Sequence, residues 1–154
     1  MTFDQYGYLV PYEVIPADFD TFETVFVKNF SNTSKRHQWF KNYVAYVGEL
    51  KTLLGTGFTQ WIDGSFISQK LNPNDIDFVT FIDFERYEYF EKEIELIRKR
   101  RYQRTSGTDG YFIKTYPIGH KLYSIYQLEY KRWLFDFTVD LYNKRPKGII
   151  QLDF

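Results

Sequence analysis

Residues 58–82 read FTQWIDGSFISQKLNPNDIDFVTFI, and this stretch decides the fold. Its first part, 58–62, is mostly aromatic or β-branched and predicts a strand that runs into Gly64-Ser65. After a polar loop, Asp75-Ile76-Asp77 opens a second apolar run that ends at Ile82. That run is dense in β-branched and aromatic residues, which indicates a strand at the centre of a sheet. The stretch therefore predicts two strands connected through a glycine-serine turn and a loop.

Two carboxylates at the start of the second strand are the strongest chemical signal. Residues two apart in a strand point to the same side, so Asp75 and Asp77 present paired carboxylates from one face. The two charges repel one another unless a cation lies between them, and Mg²⁺ prefers carboxylate oxygens together with substrate phosphates. Gly64 allows a ligand close to the backbone, and Ser65 offers a hydroxyl and an amide to a phosphate oxygen. The competing interpretation is a plain turn at Gly64-Ser65 and two aspartates that only cap a loop.

The combination of these elements resembles a known superfamily. A strand, Gly-Ser, a short loop and Asp-x-Asp opening a second apolar strand form the signature of the DNA polymerase β-type nucleotidyltransferases. The segments Asp63-Gly-Ser-Phe66 and Pro73-Asn-Asp-Ile-Asp-Phe-Val79 resemble it closely. Most of the chain is also similar to a bacterial family of small, uncharacterised nucleotidyltransferase-like proteins. Three further segments carry that second resemblance: Gly7-x-Leu-x-Pro11, a helix with Arg36, and Pro146-Lys-Gly-Ile149.

The resemblance implies an α+β fold, a nucleotidyltransferase-like mixed β-sheet flanked by helices. It also implies an enzyme that uses Mg²⁺ to move an NMP from a nucleoside triphosphate such as ATP to a protein or RNA acceptor. Asp75 and Asp77 would hold Mg²⁺, and Gly64 and Ser65 would bind the triphosphate. Lys70, in the loop that follows, is a candidate cation for the phosphates. The alternative is a catalytically inert module of the same fold that binds a nucleotide or a partner protein, as an antitoxin-like or regulatory component would.

Superfamily members normally supply a third carboxylate from a later strand. The segment 85–101 predicts a helix long enough for a crossover between parallel strands, so the start of the third strand should lie at the same sheet edge as Asp75. Asp109 is placed there, and it would position or deprotonate the attacking hydroxyl. The competing interpretation makes Thr108-Asp109-Gly110 a simple turn. Asp136 and Asp140 are the alternative third carboxylates if their region forms a strand.

The rest of the sequence predicts one domain over residues 1–154, with an extended arm at 1–17 and a motif-bearing core at 58–116. In the region 122–142, some apolar residues fall on one helical face, but apolar residues also recur strictly at every second position toward its end. A helix there can therefore give way to a strand. We expect mainly helix. The other predicted elements are helices at about 21–29, from a Ser34 cap to Leu54 and at 85–101, and strands at 111–116 and 147–152.

Composition limits the remaining function classes. The 154 residues include 16 Phe, 14 Tyr and 3 Trp but no Cys, which excludes disulfides, thiolate zinc sites and a cysteine nucleophile. The net charge of zero argues against a dedicated nucleic-acid binder, and a basic run from Arg98 to Arg104 fits a helix C-terminus. No segment resembles a signal peptide or a membrane span, so we expect a cytoplasmic protein with no membrane partner. The rings serve either as core or, in a third interpretation, as base-stacking surfaces; near the site, Phe66 and Tyr111 are the candidates.

Overall fold

The computed structural model describes residues 1–102 and 106–154, and it shows helices packed against a mixed β-sheet. The helices are α1 (Phe19–Glu23), α2 (Arg36–Leu54), α3 (Phe84–Tyr89), α4 (Glu91–Lys99) and α5 (Tyr123–Thr138). The strands are β1 (Thr2–Phe3), β2 (Leu9–Val10), β3 (Val14–Pro16), β4 (Thr59–Asp63), β5 (Ile76–Asp83), β6 (Thr108–Thr115), β7 (Val139–Asp140), β8 (Arg145–Pro146) and β9 (Ile149–Asp153).

The main sheet has five strands in the order β3-β9-β4-β5-β6. Strand β4 is antiparallel to both β5 and β9, whereas β5 and β6 are parallel, as are β3 and β9. The predicted α+β fold with a mixed sheet is therefore confirmed. The predicted parallel pairing of the second and third strands is also confirmed, because α3 and α4 form the long crossover that such a pair needs.

Helices cover the two faces of the sheet, and aromatic rings make the contacts. On one face, the rings of Tyr43 and Tyr46 in α2 lie 5.3 and 4.9 Å from the ring of Phe78 in β5. On the opposite face, Tyr130 of α5 lies 4.8 Å from Trp61 in β4. We call this second side the α5 face. The core is built on rings, while six aromatic side chains are exposed, so the base-stacking interpretation of the aromatic excess stays a prediction.

Several element boundaries differ from the sequence prediction for local reasons. The predicted 85–101 helix is two helices, because the backbone leaves the helical region at Phe90 (φ −105°, ψ 23°). The first helix begins at Phe19 rather than at 21, because the side chain of Asp18 caps it, and it continues as a π-helical turn through Lys28. The third strand begins at Thr108 and not at Tyr111, which places Asp109 inside the strand. In the 122–142 region, the expected helix is confirmed and gives way to β7.

The arm at 1–17 is extended but integrated into the fold. Strands β1 and β2 pair as a small antiparallel hairpin, and β3 adds to the edge of the main sheet beside β9. Leu9 is fully buried, and Gly148 fits against it so tightly that a β-carbon there would lie 2.9 Å from the Leu9 carbonyl oxygen. Among the described residues, no helix is long and apolar enough to cross a membrane.

Candidate functional site

Three aspartates form a row across neighbouring strands at one end of the sheet. Asp63 is the register partner of Asp77 across the antiparallel β4–β5 pair, and Asp77 is the register partner of Asp109 across the parallel β5–β6 pair. Register partners on strands about 4.8 Å apart present their side chains on the same face, here the α5 face. Asp75 precedes Asp77 by two residues and belongs to the same side. We call these four residues the carboxylate row.

The Asp77 carboxylate packs directly against the backbone of Gly64. A β-carbon added at Gly64 would lie 2.0 Å from Asp77 Oδ2, far inside van der Waals contact. Gly64 also has a φ of +78°, a conformation that residues with a β-carbon rarely adopt. The glycine of the Gly-Ser pair is thus required both by the turn and by the aspartate on the next strand.

Burial and crowding raise the pKa of the two aspartates at the centre of the row, Asp75 and Asp77. Burial first, and then the nearby carboxylates of Asp75, Asp63 and Asp109, together raise the pKa of Asp77 to about 7. Burial, followed by the charge of Asp109, also raises the pKa of Asp75. A site that disfavours its own negative charges in this way favours a cation between them.

Each end of the carboxylate row already has a protein cation. Lys147 Nζ lies 2.8 Å from Asp63 Oδ1 and donates a hydrogen bond of 2.8 Å to Oδ2, with side chains only 14% and 9% exposed. At the other end, Arg101 Nε lies 3.0 Å from Asp109 Oδ1. The side chains of Asp75 and Asp77, between these ends, form no hydrogen bond or ion pair within the described residues. The centre of the row is therefore left without a cation in direct contact within the described residues.

A cleft of about 840 Å³ opens beside the glycine-serine turn. Gly64 and Ser65 form part of its wall, and Lys70 and Lys147 contribute positive charge. The remaining wall is formed by the N-terminal arm, the 68–69 part of the loop, the end of α5 and the segment after it: Gln5, Tyr6, Gly7, Tyr8, Ser68, Gln69, Asp136, Val139, Asp140, Leu141 and Asn143. A cleft that combines backbone amides of a tight turn with two lysines suits a polyphosphate.

Arg36 supports the wall of that cleft from the protein interior. The guanidinium is completely buried at the start of α2 and donates to the carbonyl oxygens of Phe26, Ser65, Phe66, Ser68 and Lys70. No carboxylate among the described residues pairs with it. Burial lowers its pKa to about 10, so it remains protonated at neutral pH. Arg36 thereby fixes the path of the 65–70 loop with a single side chain.

A second cleft of about 410 Å³ lies at the other end of the carboxylate row. Asp75, Arg101 and Asp109 line it, together with Asn74, Ser106, Gly107 and Thr108. The two clefts share no lining residue. The carboxylate row thus lies between two separate openings, one beside β4 and one beside β6.

The structure places the other sequence candidates as follows. Lys70 is exposed on the first cleft, while Asp140 accepts hydrogen bonds from the Tyr8 hydroxyl and from Asn143. Asp136 lies on α5, 3.5 Å from Arg132. Neither alternative third carboxylate belongs to the row, whereas Asp109 does. Arg104, from the basic run, lies outside the described residues.

The two rings suggested for base stacking do not suit that role. Phe66 is completely buried, so it cannot contact a ligand in the cleft. One face of Tyr111 is covered by the Arg101 guanidinium, 3.5 Å from the ring centroid, and its ring also contacts Trp133 at 4.7 Å. The prediction for Phe66 is therefore wrong, and Arg101 occupies a face of Tyr111 that a stacked base would need.

Asp75 and Asp77 fit a magnesium ion by chemistry and environment. Their oxygens are hard ligands, they lack other partners in the described part of the chain, and the row disfavours their charge. As the side chains stand, no three His, Cys, Asp or Glu groups of the described residues converge closely enough to hold a metal ion. The third member of the row, Asp109, is instead oriented to Arg101.

Sequence reasoning missed Asp63, Lys147 and Arg101 as members of the site. Asp63 and Lys147 were visible within the two segments that carry the resemblances, but their pairing spans 84 positions of sequence. Arg101 lies in a run of basic residues, and the run gives no indication of which side chain turns toward the sheet. Only the tertiary structure brings these residues together, since Lys147 and Arg101 lie outside the strands.

Comparison with known protein families gives a match over almost the whole chain. A family model described as a family of unknown function, DUF6932, matches residues 1–153. No curated protein and no solved structure matches the chain significantly.

Proposed function

Because the chain belongs to DUF6932, a family of unknown function, we propose its activity from the site itself: magnesium-dependent transfer of an NMP from a nucleoside triphosphate to a protein or RNA acceptor. The fold would then be a nucleotidyltransferase-like one. The observation that carries this proposal is the carboxylate row, with Asp77 packed on Gly64 and register-paired with Asp109.

Each part of the site has a role in such a reaction. Bound magnesium would supply Lewis-acid stabilisation of the negative charge on the triphosphate. Asp75 and Asp77 would hold it, since they are the members of the row without a protein cation. Gly64 and Ser65 would bind the phosphates by backbone amides and a hydroxyl, and the lysines of the first cleft, Lys70 and Lys147, would neutralise them.

The two clefts suit a reaction with two substrates. The first cleft, with its turn and lysines, would take the triphosphate, and the second, at Asp109, would take the acceptor. Asp109 would accept the proton of the acceptor hydroxyl as its oxygen bonds to the α-phosphorus. The bond from that phosphorus to the pyrophosphate oxygen breaks in the same step, and pyrophosphate leaves with the electron pair of that bond.

The proposal is tested by equilibrium binding of ATP, GTP, CTP and UTP to the purified protein, with and without Mg²⁺. We expect Mg²⁺-dependent binding of at least one triphosphate, lost in D75N and D77N. D83N is the matched control, since Asp83 ends the same strand away from the row and asparagine can keep its helix-capping hydrogen bonds. Absence of triphosphate binding, or equal binding by D77N, would overturn the proposal.

A second measurement separates the enzyme from the inert alternative. Proteins and RNA that co-purify with the chain are incubated with Mg²⁺ and the bound nucleotide and then analysed by mass spectrometry. The transferase predicts acceptors heavier by one NMP, absent with D77N. Binding without any NMP adduct would favour the inert nucleotide-binding module, whose support is the neutralisation of both ends of the row by Lys147 and Arg101.

A further inference from the structure

Arg101 follows α4 directly and turns back into the site. Its Nε lies 3.0 Å from Asp109 Oδ1, and the two side chains are 19% and 28% exposed. The guanidinium also stacks on the ring of Tyr111, 3.5 Å from the centroid, and donates to the Tyr111 hydroxyl. Since Tyr111 follows Asp109 by two residues on β6, both contacts fix Arg101 on the same strand face.

The neighbouring arginines show that this placement is particular to Arg101. Arg98 pairs with Glu95 at 2.7 Å, and Arg100 pairs with Glu49 at 2.5 Å, both in more exposed positions away from the carboxylate row. Of the arginines described in the basic run, Arg101 is thus the one that contacts the row. A general preference for cations at a helix C-terminus does not require this contact.

An arginine at Asp109 competes with a metal ion at the same carboxylate. The register places Asp109 beside Asp77, so the positive charge of Arg101 lies next to the part of the row that Asp75 and Asp77 leave free for a cation. A divalent ion drawn to these carboxylates is repelled by the guanidinium, and both need oxygens of Asp109. Full three-carboxylate ligation therefore requires Asp109 to leave Arg101.

We propose that Arg101 is an internal cation that holds the third carboxylate in the absence of metal and is displaced when a divalent ion binds the row. This inference rests on the proposed function, because it takes the row as a metal site. Arg101 is a positioning residue: it acts on the metal through Asp109 and lowers the metal affinity of the empty site. The stacking on Tyr111 gives the released guanidinium a remaining partner.

The test is divalent-ion affinity, measured with Mn²⁺ by electron paramagnetic resonance on the whole protein. Loss of the competing ion pair in R101Q should tighten Mn²⁺ binding about three- to tenfold, the order expected for one partly buried ion pair. R100Q removes the adjacent arginine and its Glu49 pair, so its affinity should equal that of the unsubstituted protein. R101K keeps the positive charge and should bind Mn²⁺ more weakly than R101Q.

Two further variants identify Asp109 as the intermediary. In the D109N background, R101Q should give a smaller gain than in the unsubstituted protein, since the carboxylate for which arginine and metal compete is gone and only charge repulsion is relieved. Y111F removes the hydroxyl that accepts a hydrogen bond from Arg101, so Arg101 is held less firmly and Mn²⁺ binding should tighten slightly. If R101Q does not fold, Y111F provides the test in its place.

The outcomes separate this inference from the proposed function. If the unsubstituted protein binds Mn²⁺ and R101Q binds it equally or more weakly, the inference is overturned and the proposed function stands. If R101Q alone binds Mn²⁺, the inference is supported in its strongest form. If neither protein binds Mn²⁺, the inference and the magnesium chemistry of the proposed function both fail.

Discussion

The carboxylate of Asp77 occupies the space that a side chain at Gly64 would fill. A β-carbon on Gly64 would lie 2.0 Å from Asp77 Oδ2, and Gly64 directly follows Asp63, the last residue of β4 and the register partner of Asp77 on β5. The glycine-serine turn and the aspartate pair are therefore one unit. A change in either element changes the other.

The first prediction concerns G64A. The added methyl group must displace the Asp77 carboxylate and also strain a backbone with φ +78°, so we expect the free energy of unfolding to fall by about 1–3 kcal/mol. Mn²⁺ binding should weaken in parallel. G48A is the control: a β-carbon there has no neighbour within 4 Å, and alanine in a helix should raise stability by up to about 1 kcal/mol. Urea denaturation of both variants checks the prediction, and an unchanged G64A would contradict it.

The second prediction concerns pH. Burial and the neighbouring carboxylates raise the folded-state pKa of Asp77 to about 7, above its ordinary value of 3.8, so the folded chain binds a proton that the unfolded chain has released. The resulting stability is fully present below pH 3.8 and is lost as the pH rises through 7. Without metal, the contribution of Asp77 to the free energy of unfolding should thus fall between pH 5 and 7, by up to about 1.4 kcal/mol per pH unit.

D77N is the comparison for this pH effect. The amide cannot ionise, so the part of the pH slope that Asp77 causes should be absent, and the variant should be more stable than the unsubstituted protein at pH 8. Urea unfolding in EDTA at several pH values measures both curves. Parallel curves for the two proteins would show that Asp77 titrates normally.

The third prediction concerns Arg36. A lysine has one ammonium group and cannot reach the five carbonyl oxygens that the guanidinium serves, so R36K leaves several buried acceptors unsatisfied. We expect a loss of about 3 kcal/mol or more in the free energy of unfolding. R86K is the control, because Arg86 donates to the single carbonyl of Thr56 at an exposed position and its change should stay within about 0.5 kcal/mol. A small change in the free energy of unfolding of R36K would mean that the 65–70 loop keeps its conformation without the Arg36 hydrogen bonds.

The fourth prediction concerns Lys147. K147M removes a cation from the first cleft, and triphosphate affinity should fall about ten- to hundredfold, as expected for one charged hydrogen bond. The same change leaves Asp63 buried without its partner, which also lowers stability. The double variant D63N/K147M removes both charges, so it should recover stability but not nucleotide affinity. Recovery of both properties would show that Lys147 serves only the fold.

The sequence predicted those parts of the site that depend on local pattern. The Gly64-Ser65 turn and the paired aspartates at 75 and 77 follow from turn chemistry and strand period, and the parallel position of Asp109 follows from the length of the crossover. Their boundaries moved by one to three residues, since strand ends depend on the pairing partner. The break at Phe90 had no sequence signal that we could identify.

What the sequence by itself determined is the centre of the site: the Gly64-Ser65 turn, the paired aspartates at 75 and 77, and Asp109 as the favoured third carboxylate. What only the tertiary structure decided is how those charges are balanced. The pairing of Asp63 with Lys147 and of Asp109 with Arg101 joins residues from different elements, and the first pair depends on β9 lying beside β4. Local pattern carries no information on such contacts, because electrostatic balance depends on distance in space rather than on spacing along the chain.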